Sequence, residues 1–233
     1  MDQLIILEKV CPERIKASPS ALFELYRMET EALSLETNVN NSLVSCNIRS
    51  ATKNLKHLLS SKTTLNAQVI CLQETWLDPS EVNDQNICGW KQHNNSVGRG
   101  KGISTLYNDL YILDRDIKET HYQMTKIKSD SMTIINLYRS EGAVTTSFLD
   151  DLLSLLSKEE TVIVGDFNLC FLDQRNHQIF RTLESLGFNQ LVKKPTHIKG
   201  RMIDLVFSKV SFEIIQQSPF FTDHDILLVK MEE

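Results

Sequence analysis

The chain has 233 residues, with 30 acidic side chains against 25 Lys and Arg, a formal net charge of −5, and 41% hydrophobic residues. These proportions suit a globular chain and exclude a disordered or collagen-like one, while the length suits one larger domain with an extension. The acidic balance weighs against sequence-blind nucleic-acid binding through bulk charge, and no run approaches the roughly 18–20 apolar residues of a membrane span.

The opening MDQLIILEKVCPER has an apolar patch too short for a signal peptide and no basic leader. The stretch SPSALFELYRMETEALSLE, residues 18–36, predicts a helix. Ser18 can cap it, Pro19 suits its first position, and Leu22, Leu25, Tyr26 and Met28 form an apolar stripe. That stripe packs on its own domain in the simplest reading; it is also a candidate surface for a protein partner. A polar linker, ETNVNNS, follows at 36–42, so residues 1–40 read as an extension and 41–233 as the main domain.

Strands are predicted at SLVSCNI, AQVICLQE, GISTLYN, THYQMTKIKS and SMTIINLYR, with a helix at TKNLKHLLSS and a turn near Asp130. The amphipathic SFLDDLLSLLSK is a helix, TVIVGDFN a buried strand, and HQIFRTLESLGF a helix closed by Gly187. RMIDLVFS, SFEIIQQ and DILLVKM complete the series as strands. Strands outnumber helices and some are adjacent, which favours α+β with layered sheets over a doubly wound parallel sheet. The five cysteines, Cys11, Cys46, Cys71, Cys88 and Cys170, are odd in number and lack metal-ligand spacing. They imply free thiols in an intracellular, reducing compartment.

Apolar strands repeatedly stop or start at chemically capable residues: Asn47, Glu74, Tyr138, Asp166 with Asn168, Asp204, and Asp223 with His224. A packed strand fixes the backbone while its end reaches substrate, so catalytic groups belong there. Each alone is commonplace; the ordered set is not.

That set resembles the endonuclease/exonuclease/phosphatase (DNase I-like) superfamily. The resemblance rests on Asn47 in SCNIRS, Glu74 in CLQET, Asp166 and Asn168 in VGDFN, Asp204 in MIDLVFS, and Thr222, Asp223 and His224 in FTDHD. It spans about residues 41–231. NIRS, INLYRS and PTHIKGRMIDLVFS look most like the apurinic-type endonuclease domain of non-LTR (LINE-type) retrotransposons. The resemblance implies a four-layer α/β-β/α sandwich and a Mg²⁺-dependent phosphodiesterase, for which Mn²⁺ can substitute. It further implies an endonuclease nicking one DNA strand to leave a 3′-hydroxyl, in the nucleus. Glu74 would hold the metal, supported by Asn47 and Asp223. Asp166 would activate water, Asn168 and Tyr138 would contact the phosphate or leaving oxygen, and His224 would stabilise charge while held by Asp204. Arg49, Arg139, Thr196, Lys199, Arg201 and Thr222 would meet the substrate. Further basic residues, Arg99, Lys101, Lys193 and Lys194, lie near these segments. Where apurinic endonucleases carry an acid two residues after the first asparagine, this chain has Arg49. That removes one potential ligand and implies a single metal site. The alternatives are a same-fold hydrolase of inositol phosphate, sphingomyelin or RNA, and a catalytically silent binding module.

Overall fold

The structure, a computed structural model, describes residues 42–60, 64, 67–79, 85–87 and 89–231. The expected helix at 18–36, most of the linker, Cys11 and Cys88 lie outside the described residues. Two sheets pack face to face. The first contains β1 (Ser42–Asn47), β2 (Val69–Gln73), β3 (Gln85–Ile87), β4 (Trp90–Asn95), β5 (Ile103–Tyr107), β12 (Glu213–Gln217) and β13 (Ile226–Lys230), in the order β12-β13-β1-β2-β5-β4-β3. The second contains β6 (Ile112–Lys118), β7 (Tyr122–Lys128), β8 (Met132–Arg139), β9 (Glu160–Asp166), β10 (Asn189–Gln190) and β11 (Asp204–Ser208), in the order β10-β11-β9-β8-β7-β6. Helix α1 (Ala51–Leu59) covers the outer face of the first sheet; α2 (Thr145–Leu155) and α3 (Gln178–Ser185) cover the second. The result is the four-layer sandwich.

Alternation in β1 shows how the layers form. Val44 and Cys46 point outward to Leu55, Leu58 and Leu59 of α1, while Leu43 faces the inter-sheet core. Asn47 shares the parity of Leu43 and sits at the strand's last position. The inter-sheet layer becomes polar toward that end. Gln73 on β2 donates to Asn136 on β8 at 2.8 Å, and Asn136 donates to the Ser104 carbonyl and the Thr105 hydroxyl, each at 3.0 Å. These buried amides fix the register between sheets, because slippage would leave them unpaired at a cost of about 1–3 kcal/mol each.

Four strands escape the periodicity reading. Both faces of β4 bury amides where a core strand would place apolar residues. Gln92 donates to Asn94, and Asn95 donates to the carbonyls of Ile117 and Met124. β6 is an edge strand and largely exposed; β3 and β10 are too short to show a period. Cys46, Cys71 and Cys170 are buried free thiols. Among the described residues no helix is long and apolar enough to cross a membrane.

Gly165 lies inside β9 and not in a turn. Its φ is +143°, and a Cβ there would sit 1.9 Å from the Leu137 carbonyl oxygen on β8. Gly165→Ala is therefore expected to destabilise by on the order of 3 kcal/mol. The measurement is a lowered urea midpoint with an unchanged slope; an unaltered midpoint would contradict the close approach.

Candidate active site

Parallel pairing runs β1 beside β2 and β8 beside β9, so Asn47, Gln73, Tyr138 and Asp166 all reach one end of the sandwich. β11 and β13 are antiparallel to their neighbours, so their beginnings arrive at the same end. This explains why chemically capable residues close some strands and precede others. β11 starts at Asp204, with Arg201–Ile203 held instead by turn and loop bonds. Asp223 and His224 precede β13, and His224 forms only a single bridge to His197. Backbone strain gathers here too. Among the described residues every non-glycine with positive φ follows one of these strands: Arg49, Ser50, Glu74, Trp76 and Asn168. Such conformations persist where surrounding structure over-determines them. Here the Ser50 N–H donates to Glu74 O and the Ala51 N–H to Thr75 O, both at 2.8 Å.

At the centre Asp166 and Asp204 are register partners across β9 and β11, and both are buried. His224 Nδ1 lies 2.9 and 3.1 Å from the two oxygens of Asp204. One ligand atom each from Asp166, Asp204 and His224 fall within 4.8 Å of one another. Asp166 accepts from Asn47 Nδ2 at 2.8 Å, from the Asn168 N–H at 2.8 Å and from Asn168 Nδ2 at 3.3 Å. Burial and then Asp204 push the Asp166 carboxyl well above the ordinary carboxylate range, against the opposing pull of His224 and these donors. Burial alone would lower His224, but the Asp204 carboxylate outweighs it and raises the imidazole to about 9. The imidazolium compensates the buried Asp204 carboxylate, while Asp166, beside it, is desolvated by holding its proton to a higher pH.

The outer side of the rim is built around Arg49. Its guanidinium donates to Asp223 Oδ2 at 2.6 Å and lies 3.9 Å from Glu74 Oε2. Trp76 Nε1 also donates to Glu74, at 3.3 Å. Burial would raise the Asp223 carboxyl, but Arg49 brings it below its ordinary value. Asp223 Oδ1 is buried and receives no hydrogen bond. The Tyr138 phenol is raised by burial and by Glu74 and Asp166, with Arg49 opposing.

His197 belongs to this rim although no sequence pattern marks it. Its Nε2 lies 3.3 Å from Asp223 Oδ2, and its ring meets that of His224 edge-on at 4.8 Å. The Lys199 N–H donates to His197 Nδ1 at 3.1 Å, which places the ring proton on Nε2, facing Asp223. A histidine in a turn has no periodicity to betray it; the available signal was its place beside Thr196.

Several expected roles change. Arg139 is buried, and its guanidinium donates to the carbonyls of Ala143 at 3.0 Å and Phe167 at 3.4 Å while lying over the Phe148 ring. It braces the fold and offers nothing to a substrate. Thr196 is fully buried; its hydroxyl accepts from the Ile203 and Asp204 N–H groups at 3.2 and 3.0 Å, fixing the start of β11. The Thr222 hydroxyl donates to the Asn47 carbonyl at 2.9 Å. Both Asn168 amide hydrogens are engaged, by the Arg139 carbonyl and Asp166, so it holds Asp166 and does not donate to a phosphate. Asn47 likewise gives an amide hydrogen to Asp166, and its oxygen accepts from the Arg49 N–H. Glu74 lies outside the two acid and histidine clusters and reaches Asp223 through Arg49. Lys199 is exposed and Arg201 half-buried on the turn tied to Asp223 by the Ile198 N–H. Lys193, Lys194 and Arg99 are exposed, while Lys101 donates to the Thr120 carbonyl.

Residues 38–224 match the model of the endonuclease/exonuclease/phosphatase family. Among solved structures the chain is similar to an AP endonuclease from Archaeoglobus fulgidus, at 12% identity and TM-score 0.64, covering 81% of this chain and 98% of that one. It is similar to the endonuclease domain of TRAS1, a telomere-specific non-LTR retrotransposon, at 16% identity and TM-score 0.60, covering 82% and 97%. The 3′ phosphatase NExo from Neisseria, bound to a product DNA hairpin, aligns at 14% identity and TM-score 0.62, covering 83% and 100%. At these identities the three structures speak to the fold.

Two measurements check the site's construction. Thr196→Val leaves two buried N–H groups without an acceptor and is expected to destabilise by about 2–4 kcal/mol, with Thr196→Ser close to wild type. Equal stability of both variants would show that the hydroxyl is not structural. The raised His224 pKa gives a stabilisation present in full below about pH 6.5 and lost as pH rises through about 9. Asp166 acts in the same direction, because its folded form keeps a proton to higher pH than the unfolded form. In chelator the melting temperature should fall across that window; a flat profile would contradict the pairing.

Proposed function

The chain belongs to the endonuclease/exonuclease/phosphatase family, and on that premise we propose that it is a divalent-metal-dependent DNA endonuclease that nicks one strand and leaves a 3′-hydroxyl, as in retrotransposon-type target-site cleavage. The observation that carries the reading is the closeness of two hydrogen-bonded groups, Asn47 and Asn168 on Asp166 and His224 on Asp204, with ligand atoms of Asp166, Asp204 and His224 within 4.8 Å of one another. Together they supply a basic carboxylate and an imidazolium at one rim.

Asp166 has three donors on its two oxygens, which leaves about one acceptor position for a water. Its raised proton affinity makes Asp166, once deprotonated, a stronger base toward that water than an ordinary carboxylate. His224 directs Nδ1–H to Asp204, which fixes the ring and leaves Nε2–H for a non-bridging phosphoryl oxygen. At neutral pH the ring is charged, so it opposes the negative charge that develops in the transition state. The Tyr138 phenol keeps its proton and can donate to a phosphate or leaving oxygen.

Glu74 and Asp223 fit a hard divalent cation such as Mg²⁺. Both are carboxylates, they flank one positive group, and Asp223 Oδ1 is a buried acceptor without a donor. When bound, the ion supplies Lewis-acid stabilisation of a phosphoryl oxygen. DNA as substrate is supported by Lys199 and Arg201, two cations on the turn tied to Asp223, on an otherwise acidic chain.

The test is relaxation of supercoiled plasmid with Mg²⁺ and with EDTA. Wild type should convert plasmid to the nicked circle only with the metal, and Asp166→Asn and His224→Ala should each lose about 10²-fold or more. No nicking, or nicking unaffected by both substitutions, would overturn the assignment. Hydrolysis of an inositol phosphate or sphingomyelin without nicking would move the activity to another phosphoester.

A further inference from the structure

Phe220 is the most exposed large apolar side chain among the described residues, at 82%. A lone exposed hydrophobic residue needs no explanation, but this ring is one of three. His57 of α1 meets Phe220 edge-on at 5.1 Å and stacks on Phe221 at 5.9 Å with 21° between the planes; Phe220 and Phe221 are themselves edge-on at 5.6 Å. Phe221 is anchored against the core cluster under α1. Pro219 precedes the pair and restricts the chain. The exposed ring is thus held on a preformed base.

The surroundings are cationic. Lys53 and Lys56 are exposed on the same helix, which carries no acid along ATKNLKHLL. The charged group acting on His57 is Lys56, which adds to burial in lowering its pKa. On a chain of net charge −5 this is a local reversal of sign.

The surface is also continuous with the catalytic rim. Phe220 is three residues before Asp223, so their Cα atoms are at most about 11 Å apart. Helix α1 starts two residues after Arg49, and His57 lies about 9 Å along it from Ala51. At roughly 3.4 Å per nucleotide of a duplex strand, that span corresponds to about three nucleotides from the reacting phosphate.

We propose that Phe220, seated on His57 and Phe221, is a stacking platform for an unpaired nucleobase of the DNA substrate, with Lys53 and Lys56 holding the adjacent phosphates. Rings that accept a base face combined with cations that track the backbone are the two elements of single-strand binding. A paired base keeps its faces inside the duplex, so the platform confers a preference for sites with unpaired bases beside the nick. The inference rests on the DNA-nicking reading of the site.

The experiment uses the full chain in EDTA and measures fluorescence anisotropy with two labelled DNAs, one fully paired duplex and the same duplex carrying a short unpaired stretch. Wild type should prefer the unpaired substrate by about ten-fold. Phe220→Ala should abolish that preference, Phe220→Trp should retain it, and Lys53→Gln with Lys56→Gln should flatten the salt dependence of binding. Phe220 is exposed, so its variants should melt with wild type. A preference that is equal in wild type and Phe220→Ala overturns the platform, as it would if this face served a protein or residues 1–41 of the chain. Failure of wild type to bind either DNA even at low salt instead overturns the DNA reading on which the platform rests.

Discussion

His224 and Asp204 meet inside the sandwich with Asp166 close by, and much of the upper structure exists to make that burial tolerable. Two carboxylates in a low-dielectric layer repel each other and lose their hydration. The imidazole supplies the compensating charge, while Asn47 and Asn168 donate to the oxygens it does not reach. Thr196 then pins the backbone of Asp204, and Thr222 ties the His224 loop to the end of β1. Several polar residues expected to touch substrate prove to be holders of these three groups.

The two sheets contribute unequally to the site. The second sheet provides the acids, on adjacent antiparallel strands in register. The first provides Asn47, Glu74 and the approach to His224. Their relative position is set by a polar seam, Gln73 to Asn136 and onward to Ser104 and Thr105, which an apolar interface would leave free to slide. The seam and the strained turns lie toward the same end of the sandwich, where the peptide geometry is least relaxed and the side chains most constrained.

Arg49 gives the outer rim its own character. It donates to Asp223 and approaches Glu74, so one guanidinium lies beside both acids. His197 adds a second contact to Asp223, from the turn that carries Lys199. The carboxylate is therefore gripped from two directions through one oxygen, while its other oxygen has no hydrogen bond and lies 3.9 Å from His224 Nε2.

Local residue order decided a good deal. The strands that carry Asn47, Glu74, Tyr138, Asp166 and Asp204 were legible because apolar runs end at polar residues, and α1, α2 and α3 because their stripes have helical period. The Asp204–His224 pairing was an expectation of the family resemblance that the ordered motifs carry. β4 was hidden because its buried side chains are amides, whose burial depends on partners on other strands. The roles of Arg139, Thr196 and Asn168, and the membership of His197, belong to the tertiary structure alone. A side chain's chemistry is written in its residue type, but whether it faces solvent or a backbone group elsewhere depends on which strands become neighbours, and that is settled only when the layers pack.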